Sequence, residues 1–308
     1  MSSNTLANPA TLSVRQLHPL FFGRVEGIDL AAAPDDATLG AIEAAFDTHA
    51  VLLFPAQALT QEQHIAFSKR WGPLEVVTIG ASLDGGKRAT LPEIGRVTNL
   101  GLDNRIRDPE DARRRFSLGN RLWHTDSTYM HIPAKCSLLY ALQVPPSGGN
   151  TEFADMRAAY DDLPANMKRR IEPLIVEHSV FHSRAKIGFT DFSDEARAVH
   201  PPAHQVLVRS HAASGRKSLY LASHASHVVG WPVDEGRALL AELTEHATQA
   251  KYVYSHRWAV GDLVMWDNRC TMHRATPYDD LTAPREHHRT TVQDVGNTVE
   301  ILRAAGLH

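Results

Sequence analysis

The sequence predicts a mostly β fold, either a β-sandwich or a jelly-roll barrel, with helices on its flanks. Short strand-forming runs dominate the chain beyond Leu122 and include SLLYALQV, KYVYSHRW and DLVMW. Turn-forming strings such as PPSGG and ASGR separate these runs. Helical spacing is confined to a few segments, and no repeat of the kind that builds solenoids occurs. A single domain spanning residues 1–308 is therefore expected.

The first quarter of the chain alternates between helix and strand. Residues 34–49 read PDDATLGAIEAAFDTH and have helical apolar spacing after an Asp-rich cap. The apolar run AVLLFP at 50–55 predicts a short strand. A second helix is predicted from an N-cap at Thr60 to a stop at Gly72, since Thr and Gly are common at these two helix boundaries.

Residues 76–119 lack clear periodicity. They contain a glycine pair, two prolines and the mixed-charge string RIRDPEDARRRF. An irregular stretch of this length is uncommon inside a compact domain and is often a functional lid or binding loop. We expect this segment to be a lid or substrate loop inserted in the domain.

The later helices and strands follow similar patterns. The string DMRAAYDDLPANMKRRIEP is predicted to be helical, and an amphipathic helix is predicted over 234–249. Strand-forming runs return at HQVLVRS and KSLYLAS. Three closing strands are predicted at KYVYSHRW, DLVMW and HHRTTVQD.

Composition argues against several function classes. The net charge is −3 and the local basic clusters lie beside acids, so the sequence lacks the basic excess of a nucleic-acid-binding protein. No apolar run is long enough for a membrane span, and the polar N-terminus lacks a signal-peptide pattern. The two cysteines, Cys136 and Cys270, favour a reducing compartment. A cytoplasmic protein that binds neither nucleic acid nor membrane is expected.

One pattern among the 18 histidines suggests a metal site. His124 is the only histidine followed two positions later by an Asp, in the string RLWHTDSTYM. If this string is a strand, His124 and Asp126 face the same side. With a second imidazole they would form the facial triad that suits ferrous iron and leaves open coordination positions. A single H-x-D also arises by chance in so histidine-rich a chain, so a buried polar pair is the alternative.

The C-terminal part supplies further candidates for the same site. His273 follows an apolar strand and a turn in DLVMWDNRCTMHR. Arg285 and Arg289 are four residues apart in PREHHRTT, so an extended segment would direct both guanidinium groups into one cavity. Arginine binds carboxylates in a bidentate fork. The pair therefore suggests two anions near the metal, a dicarboxylate co-substrate and an acidic substrate.

Other site templates fit less well. His178 with His182, and His200 with His204, have a spacing that could bind zinc on a helix, but their surroundings are strand-like or rich in proline. The signatures of zinc proteases, dinucleotide-binding folds, phosphate-binding loops and serine hydrolases are absent from the sequence.

Ordered blocks spread over nearly the whole chain match one known family. The most specific blocks are GRVEGIDL, VLLFPAQALTQEQHIAFSKRWGPLE, NRLWHTDSTY, PPSGGNTEFADMRAAYDDLP, HAASGRKSLYLASHASHVVGWPV, EHATQAKYVYSHRW, and GDLVMWDNRC followed by MHR. In these blocks the chain resembles the iron(II)/2-oxoglutarate-dependent dioxygenases of the taurine dioxygenase superfamily. It is most similar to the branch that acts on 2,4-dichlorophenoxyacetate and other aryloxyalkanoates. The resemblance implies one catalytic domain with a double-stranded β-helix core (jelly-roll, cupin-like) and flanking helices.

The resemblance also implies three groups of site residues. The first binds iron(II), the second holds or lies beside 2-oxoglutarate, and the third contacts the substrate. The catalytic iron ligands are His124, Asp126 and His273; the 2-oxoglutarate group is Thr151, Arg285 and Trp266; and the substrate group is Arg289, Asn120 and His224.

The reaction implied by the resemblance uses iron(II), 2-oxoglutarate and O2. It would hydroxylate an aryloxyalkanoate next to its ether oxygen and cleave it to a phenol and an oxoacid such as glyoxylate, with release of succinate and CO2. The same chemistry on an alkylsulfonate, a sulfate ester or a natural aromatic acid stays open. So do two other classes, a zinc hydrolase and a non-catalytic binding module. A homo-oligomer is expected, because such relatives are often oligomeric.

Overall fold

Four sheets and their flanking helices build the part of the chain described by the computed structural model, residues 12–77, 83 and 85–306. The strands are β1 (Ser13–Gln16), β2 (Gly23–Glu26), β3 (Val51–Phe54), β4 (Gly95–Thr98), β5 (Ala134–Gln143), β6 (Thr151–Asp155), β7 (Ile175–His178), β8 (Ala203–Val206), β9 (Val208–Ser210), β10 (Lys217–Leu219), β11 (Ala225–Val228), β12 (Val253–His256), β13 (Leu263–Asp267), β14 (Thr271–Ala275) and β15 (Glu286–Gln293). The helices are α1 (Asp36–His49), α2 (Gln61–Lys69), α3 (Ala112–Ser117), α4 (Met156–Asp161), α5 (Ala165–Ile171), α6 (Val180–Ala185), α7 (Asp194–Val199), α8 (Val233–Ala247) and α9 (Thr298–Ala304).

The largest sheet has seven strands in the order β1-β2-β3-β13-β5-β15-β4. Its centre is buried on both faces, so β3 and β13 consist of the nearly continuous apolar runs VLLF and LVMWD. β15 is held on both sides, by β5 and by β4. This double pairing fixes the strand that follows Arg285 and carries Arg289.

A shorter sheet, β12-β6-β14, lies against one face of the large sheet and completes the jelly-roll core. Phe153 of β6 packs in one buried cluster with Leu139, Val264 and Trp266 of the large sheet. The mostly β fold class with a jelly-roll core and flanking helices is therefore confirmed.

Helices α1 and α2 cover the opposite face of the large sheet. Phe46 of α1 and Phe67 of α2 pack with Leu138 and Met265 of the central strands. Helix α2 begins where the sequence predicts, because the Thr60 hydroxyl accepts a hydrogen bond from the backbone of Gln63 and the Gln63 side chain reciprocates. No helix in the described ranges is long and apolar enough to cross a membrane.

Two predicted elements are divided in the structure. The string DMRAAYDDLPANMKRRIEP forms two helices, α4 and α5, because Pro164 lies between them and caps the second. The run HQVLVRS, predicted as one strand-forming segment, contributes β8 and β9 to two different sheets. Periodicity identified these residues as helical or extended but did not reveal the breaks.

The segment 76–119 contains regular structure in addition to loops. β4 lies within it and pairs with β15, and α3 follows near its end. Residues 78–82 and 84 fall outside the described part of the chain. Its role as a lid or substrate loop stays a prediction.

A buried ion pair joins the end of β6 to the start of α4. The Arg157 guanidinium donates through Nε and Nη2 to the two carboxylate oxygens of Asp155, at 3.0 Å each. Arg157 Nη1 also donates to the backbone carbonyls of Asp47 and Thr48, at 3.1 and 3.2 Å. The pair therefore connects the inner sheet to the last turn of α1.

Replacing Arg157 with Ala should lower the free energy of unfolding by about 3–5 kcal/mol, because the buried Asp155 carboxylate would lose its counter-ion. Urea denaturation followed by circular dichroism measures this loss. As a control, Arg24→Ala breaks an exposed ion pair with Glu26 and should cost less than about 1 kcal/mol. Equal losses in the two variants would contradict the assignment of a structural role to the buried pair.

Candidate active site

A short antiparallel bridge brings His124 and His273 together. The backbone N–H of each residue donates to the carbonyl of the other, at 3.0 and 2.8 Å. The centroids of the two imidazole rings are 4.2 Å apart. Because His273 lies on β14, which is paired with β6 along its length, the inner sheet fixes the position of both rings.

The prediction that His124 and Asp126 lie on one strand is wrong, because only His124 forms a bridge and Asp126 begins a turn. The turn passes through Ser127 with φ of 52°, in the left-handed region. Side-chain bonds orient Asp126 instead. The backbone N–H of Asp126 donates to Asn268 Oδ1 at 3.2 Å, and Ser137 Oγ donates to Asp126 Oδ2 at 2.7 Å.

The three predicted ligands converge in a buried site. Their ligand atoms all lie within 4.8 Å of one another. His124 Nε2 is 3.9 Å from Asp126 Oδ1, and His273 Nε2 is 3.8 Å from Asp126 Oδ2. His124 Nδ1 donates to the Leu122 carbonyl at 2.7 Å, which leaves the Nε2 lone pair free to bind a metal. Two imidazoles and one carboxylate in this arrangement are the donor set of mononuclear iron(II) sites.

The protonation states of these groups suit metal binding. Burial lowers the pKa of His124 and, together with the neighbouring His124, that of His273. Burial alone would raise the pKa of Asp126, but Arg289 and the two histidines hold it at about 2. A site with one carboxylate and two neutral imidazoles can bind a cation without first losing a proton.

A second group of candidate ligands is less suited to a metal. His211, Asp267 and Cys270 are buried and close together. However, the Asp267 carboxylate already accepts from His211 Nε2 at 2.9 Å and from Arg269 Nε and Nη2 at 2.9 and 2.7 Å. The Arg269 charge would repel a cation. In the described residues, neither zinc-spaced histidine pair joins a group of three candidate ligands.

The residues predicted to hold 2-oxoglutarate are buried and linked through one aromatic ring. Thr151 Oγ1 accepts from Trp258 Nε1 at 3.0 Å, and the Trp258 ring packs against His287, with centroids 4.7 Å apart. Arg285 lies two residues before His287, and its backbone N–H donates to Asn99 Oδ1 at 2.9 Å. Burial lowers the pKa of Arg285 to about 10, and its Nε has no hydrogen-bond partner in the described chain. Such a guanidinium fits a carboxylate.

Arg289 and Trp266 lie directly against the three ligands. Arg289 Nη1 donates to Asp126 Oδ1 at 2.6 Å. Burial would lower the pKa of Arg289, but the charge of Asp126 outweighs this effect and leaves the pKa raised. The Trp266 ring packs against His273, with centroids 4.7 Å apart, and Trp266 Nε1 donates to Asn268 Oδ1 at 3.0 Å.

Of the two other predicted substrate residues, one lies beside the His124 ring and the other precedes His124 in the chain. His224 is buried, and its ring centroid is 6.2 Å from that of His124 and 4.8 Å from that of Tyr129. Asn120 lies in the single 3-10 turn Leu118–Arg121, just before the His124 segment.

Sequence reasoning missed two ionisable groups near the site. Glu75 is partly buried and accepts from Ser127 Oγ at 2.9 Å; desolvation of its carboxylate raises its pKa to about 7. Arg184 is also buried, and its Nη1 donates to Ser183 Oγ at 3.3 Å. Glu75 ends the GPLE string, so a motif comparison could have identified it. No spacing in the sequence points to Arg184.

A jelly-roll core that holds two histidines and one carboxylate at adjoining positions defines a mononuclear iron oxygenase site. The model of the family described as taurine catabolism dioxygenase TauD, TfdA family matches residues 13–291. The chain therefore belongs to this dioxygenase family. The predicted family, enzyme class and set of iron(II), 2-oxoglutarate and O2 are confirmed.

Named relatives match nearly the whole chain. It is 47% identical over 293 residues to the alpha-ketoglutarate-dependent 2,4-dichlorophenoxyacetate dioxygenase of Cupriavidus pinatubonensis, covering 94% of this chain and 98% of that protein. It is 39% identical to the (S)-phenoxypropionate/alpha-ketoglutarate-dioxygenase of Sphingobium herbicidovorans, covering 86% and 90%. A crystal structure of AAD-2 in complex with Mn(II) and N-oxalylglycine aligns with a TM-score of 0.85 at 45% identity, covering 94% of this chain and 98% of that one.

Replacing Asp126 with Asn should weaken metal binding by about 100-fold or more, because the only anionic member of the triad is lost. Isothermal titration of the metal-free protein with Mn(II) measures this change without oxidation of the metal. Asp262→Asn is the matched control, since Asp262 is a buried carboxylate 3.1 Å from His256 and outside the triad. Unchanged Mn(II) affinity in Asp126→Asn would rule out this metal site.

The free energy of unfolding of the metal-free protein should fall as the pH rises from about 4.5 to about 7, because of Glu75. The folded state holds a proton on Glu75 up to a pKa of about 7, whereas the unfolded chain releases it near the ordinary value of 4.5. Glu75→Gln should therefore be more stable than the parent at pH 8, by about 1–3 kcal/mol, and no more stable at pH 4. Denaturation at both pH values tests this difference, with exposed Glu242→Gln as the control. A stability gain that is independent of pH would contradict the assignment.

Proposed function

We propose that the protein hydroxylates an aryloxyalkanoate next to its ether oxygen. One atom of O2 enters succinate as 2-oxoglutarate loses CO2, and the other enters the C–H bond of the substrate. The resulting hemiacetal separates into a phenol and an oxoacid, which is glyoxylate when the substrate is an aryloxyacetate. The substrate is therefore a small anionic molecule with an aromatic ring.

The observation that supports this proposal most strongly is the match to the 2,4-dichlorophenoxyacetate dioxygenase along almost its full length, combined with a complete triad. Two of the cited relatives are named for aryloxyalkanoic acids, and both cover at least 86% of this chain. The arginines of the site also fit two carboxylate ligands.

His124, Asp126 and His273 would hold the iron, which supplies the means of activating O2 when it is bound. The Leu122 carbonyl keeps the proton of His124 on Nδ1, so that Nε2 can coordinate. Ser137 and Arg289 hold the two oxygens of the Asp126 carboxylate, so that this ligand cannot rotate freely. The protein thus provides a preorganised set of ligands.

Thr151 and Arg285 would bind the distal carboxylate of 2-oxoglutarate. The Thr151 hydroxyl accepts from Trp258, so its own proton is free to donate to an anion. The buried Arg285 guanidinium gains a counter-ion when the dicarboxylate binds. Trp266 would pack beside the co-substrate, since its ring already contacts His273.

Arg289, Asn120 and His224 would line the substrate side of the site. A buried aromatic and aliphatic cluster extends from there, since Tyr129 contacts His224 and packs against that cluster. Its core residues are Phe116, Val180 and Phe189. These apolar side chains provide a surface for the aryl ring, while the polar residues place the reactive C–H bond.

We also infer that the chain forms one catalytic domain in which residues 76–119 contribute to the substrate side. The contact of Phe116 with Arg184 supports this role for the end of the segment. A cytoplasmic protein that binds neither nucleic acid nor membrane fits the net charge of −3 and the two free cysteines. The homo-oligomer stays an expectation from the family resemblance.

The test is a turnover assay with iron(II), 2-oxoglutarate and air-saturated buffer. An aryloxyacetate should give equal amounts of phenol and succinate, whereas an alkylsulfonate and an alkyl sulfate ester should give little succinate above the rate without substrate. Succinate release driven by the sulfonate or sulfate ester alone would replace the proposed substrate class. No dependence on 2-oxoglutarate would favour a hydrolase instead.

Arg285→Ala should raise the KM for 2-oxoglutarate by about tenfold or more, because a charge-assisted contact to its distal carboxylate is lost. The KM for the aryloxyacetate should change little. Steady-state kinetics with each ligand varied in turn measures both constants. Arg274→Ala is the control, since Arg274 adjoins His273 in sequence but pairs with Glu152 at a partly exposed position. The reverse pattern, with only the aryloxyacetate affected, would exclude the proposed role.

A further inference from the structure

We propose that Arg184 binds the carboxylate of the substrate and selects anionic aryl ethers over uncharged ones. This inference rests on the proposed function and adds a residue to it. Arg184 lies in the last turn of α6, outside the segments that carry the triad and the two predicted arginines. This role is supported by the position of Arg184, by the lack of a carboxylate paired with it among the described residues, and by the space left for its guanidinium.

A chain of contacts leads from Arg184 to the iron ligands. Arg184 Nη1 lies 3.3 Å from Ser183 Oγ, and His224 Nδ1 lies 2.9 Å from the same oxygen. The His224 ring is next to that of His124, with centroids 6.2 Å apart. Arg184 is therefore connected to the metal site through Ser183 and His224, whereas Arg289 contacts the ligand Asp126 directly.

The hydrogen positions in this chain are fixed by the Ser183 hydroxyl. Ser183 Oγ donates to the Val180 carbonyl at 2.8 Å, so it can only accept from its two other neighbours. His224 must therefore carry its proton on Nδ1, and Arg184 Nη1 must donate. Ser183 thus anchors one corner of the guanidinium and leaves its other N–H groups available for a ligand.

Arg184 is a buried cation that lacks an anionic partner within the described part of the chain. Its only hydrogen bond there is to the neutral Ser183, and its Nε has no partner. Burial lowers the pKa of the Arg184 guanidinium to about 10, and the nearby cations Arg289 and Arg113 lower it as well. Burying a charge without a counter-ion is costly, and an incoming carboxylate would remove that cost.

Arg289 differs from Arg184 because its guanidinium already has an anionic partner. Its guanidinium already pairs with the metal ligand Asp126 at 2.6 Å. A substrate carboxylate that used Arg289 alone would share that cation with a metal ligand. Arg184 offers a cation that no protein carboxylate in the described residues neutralises. The two arginines together can therefore hold both the ligand carboxylate and the substrate carboxylate.

The lack of a side chain at Gly119 leaves space for the Arg184 guanidinium. A Cβ atom on Gly119 would lie 2.2 Å from Arg184 Nη1, so a larger residue there would displace the guanidinium. On another side the Phe116 ring stacks on it, with Cζ 4.2 Å from the ring centroid. Gly119 immediately precedes Asn120, which the family resemblance predicts to be a substrate residue.

The experiment compares an aryloxyacetate with the corresponding aryl methyl ether, which has the same ring and ether oxygen but no carboxylate. The variants are Arg184→Gln, which removes the charge, and Arg184→Lys, which keeps it. Arg115→Gln is the matched control, because Arg115 stacks on Phe189 of the same aromatic cluster from an exposed position. KM and kcat are measured for both aryl compounds and for 2-oxoglutarate.

Arg184→Gln should raise the KM for the aryloxyacetate by about tenfold or more, with the KM for 2-oxoglutarate unchanged. For the methyl ether, the parent and Arg184→Gln should have the same kcat/KM, and Arg184→Lys should recover part of the loss for the acid. Anaerobic protection of the Mn(II)- and N-oxalylglycine-loaded protein against heat by the aryloxyacetate gives a second readout that needs no turnover. This protection should be lost in Arg184→Gln and kept in Arg115→Gln.

The results of this experiment distinguish a failure of the inference about Arg184 from a failure of the proposed function. If the parent protein cleaves the acid and Arg184→Gln does so with an unchanged KM, the inference alone is overturned. An equal loss for the acid and the methyl ether overturns it too, since it would indicate damage to the site. If the parent neither binds nor cleaves the acid, the proposed substrate class fails and the inference falls with it.

Discussion

The site depends on the bonds that hold the Asp126 carboxylate. Neither strand periodicity nor a helix orients this side chain, because it stands at the start of a turn. Ser137 of β5 holds one of its oxygens and Arg289 of β15 holds the other. The ligand from the turn is therefore tied to two neighbouring strands of the large sheet. The histidines, fixed by their mutual bridge, face a carboxylate that the sheet keeps in place.

Much of the fold and of the metal site could be predicted from local signals. The cap at Thr60 and the apolar run of β3 have short-range physical causes, and both appear where expected. The triad was identified because an H-x-D pair and a later His occur in recognisable blocks. The strand predicted for His124 and Asp126 was wrong, since the turn that starts at Asp126 is held by contacts with Asn268 and Glu75, which are distant in sequence.

The electrostatic features of the site were harder to predict, because they arise from burial and long-range contacts. Glu75 and Arg184 are ordinary charged residues in the sequence, and only the fold removes their charged groups from water. Arg184 reaches its position because α6 packs beside the loop that carries His224, with Ser183 between them. The order of the strands in the large sheet was also hard to predict from local signals, because β4 pairs with β15 across a long stretch of sequence.

The spacing of Arg285 and Arg289 has a consequence for molecular length, because Arg285 immediately precedes the doubly paired strand β15 and Arg289 lies within it. Four residues of extended chain span about 13 Å. Pairing with β5 and β4 holds Glu286–Arg289 on both sides, with a shift of register against β5 between Glu286 and His287. In the proposed arrangement, with Arg285 on the distal carboxylate of 2-oxoglutarate, this segment would set the distance between that carboxylate and the metal. A dicarboxylate one methylene longer could reach Arg285 only by giving up its fit at the iron end. The protein could then distinguish 2-oxoglutarate from longer dicarboxylates without a separate pocket, because the backbone sets the length of dicarboxylate that fits.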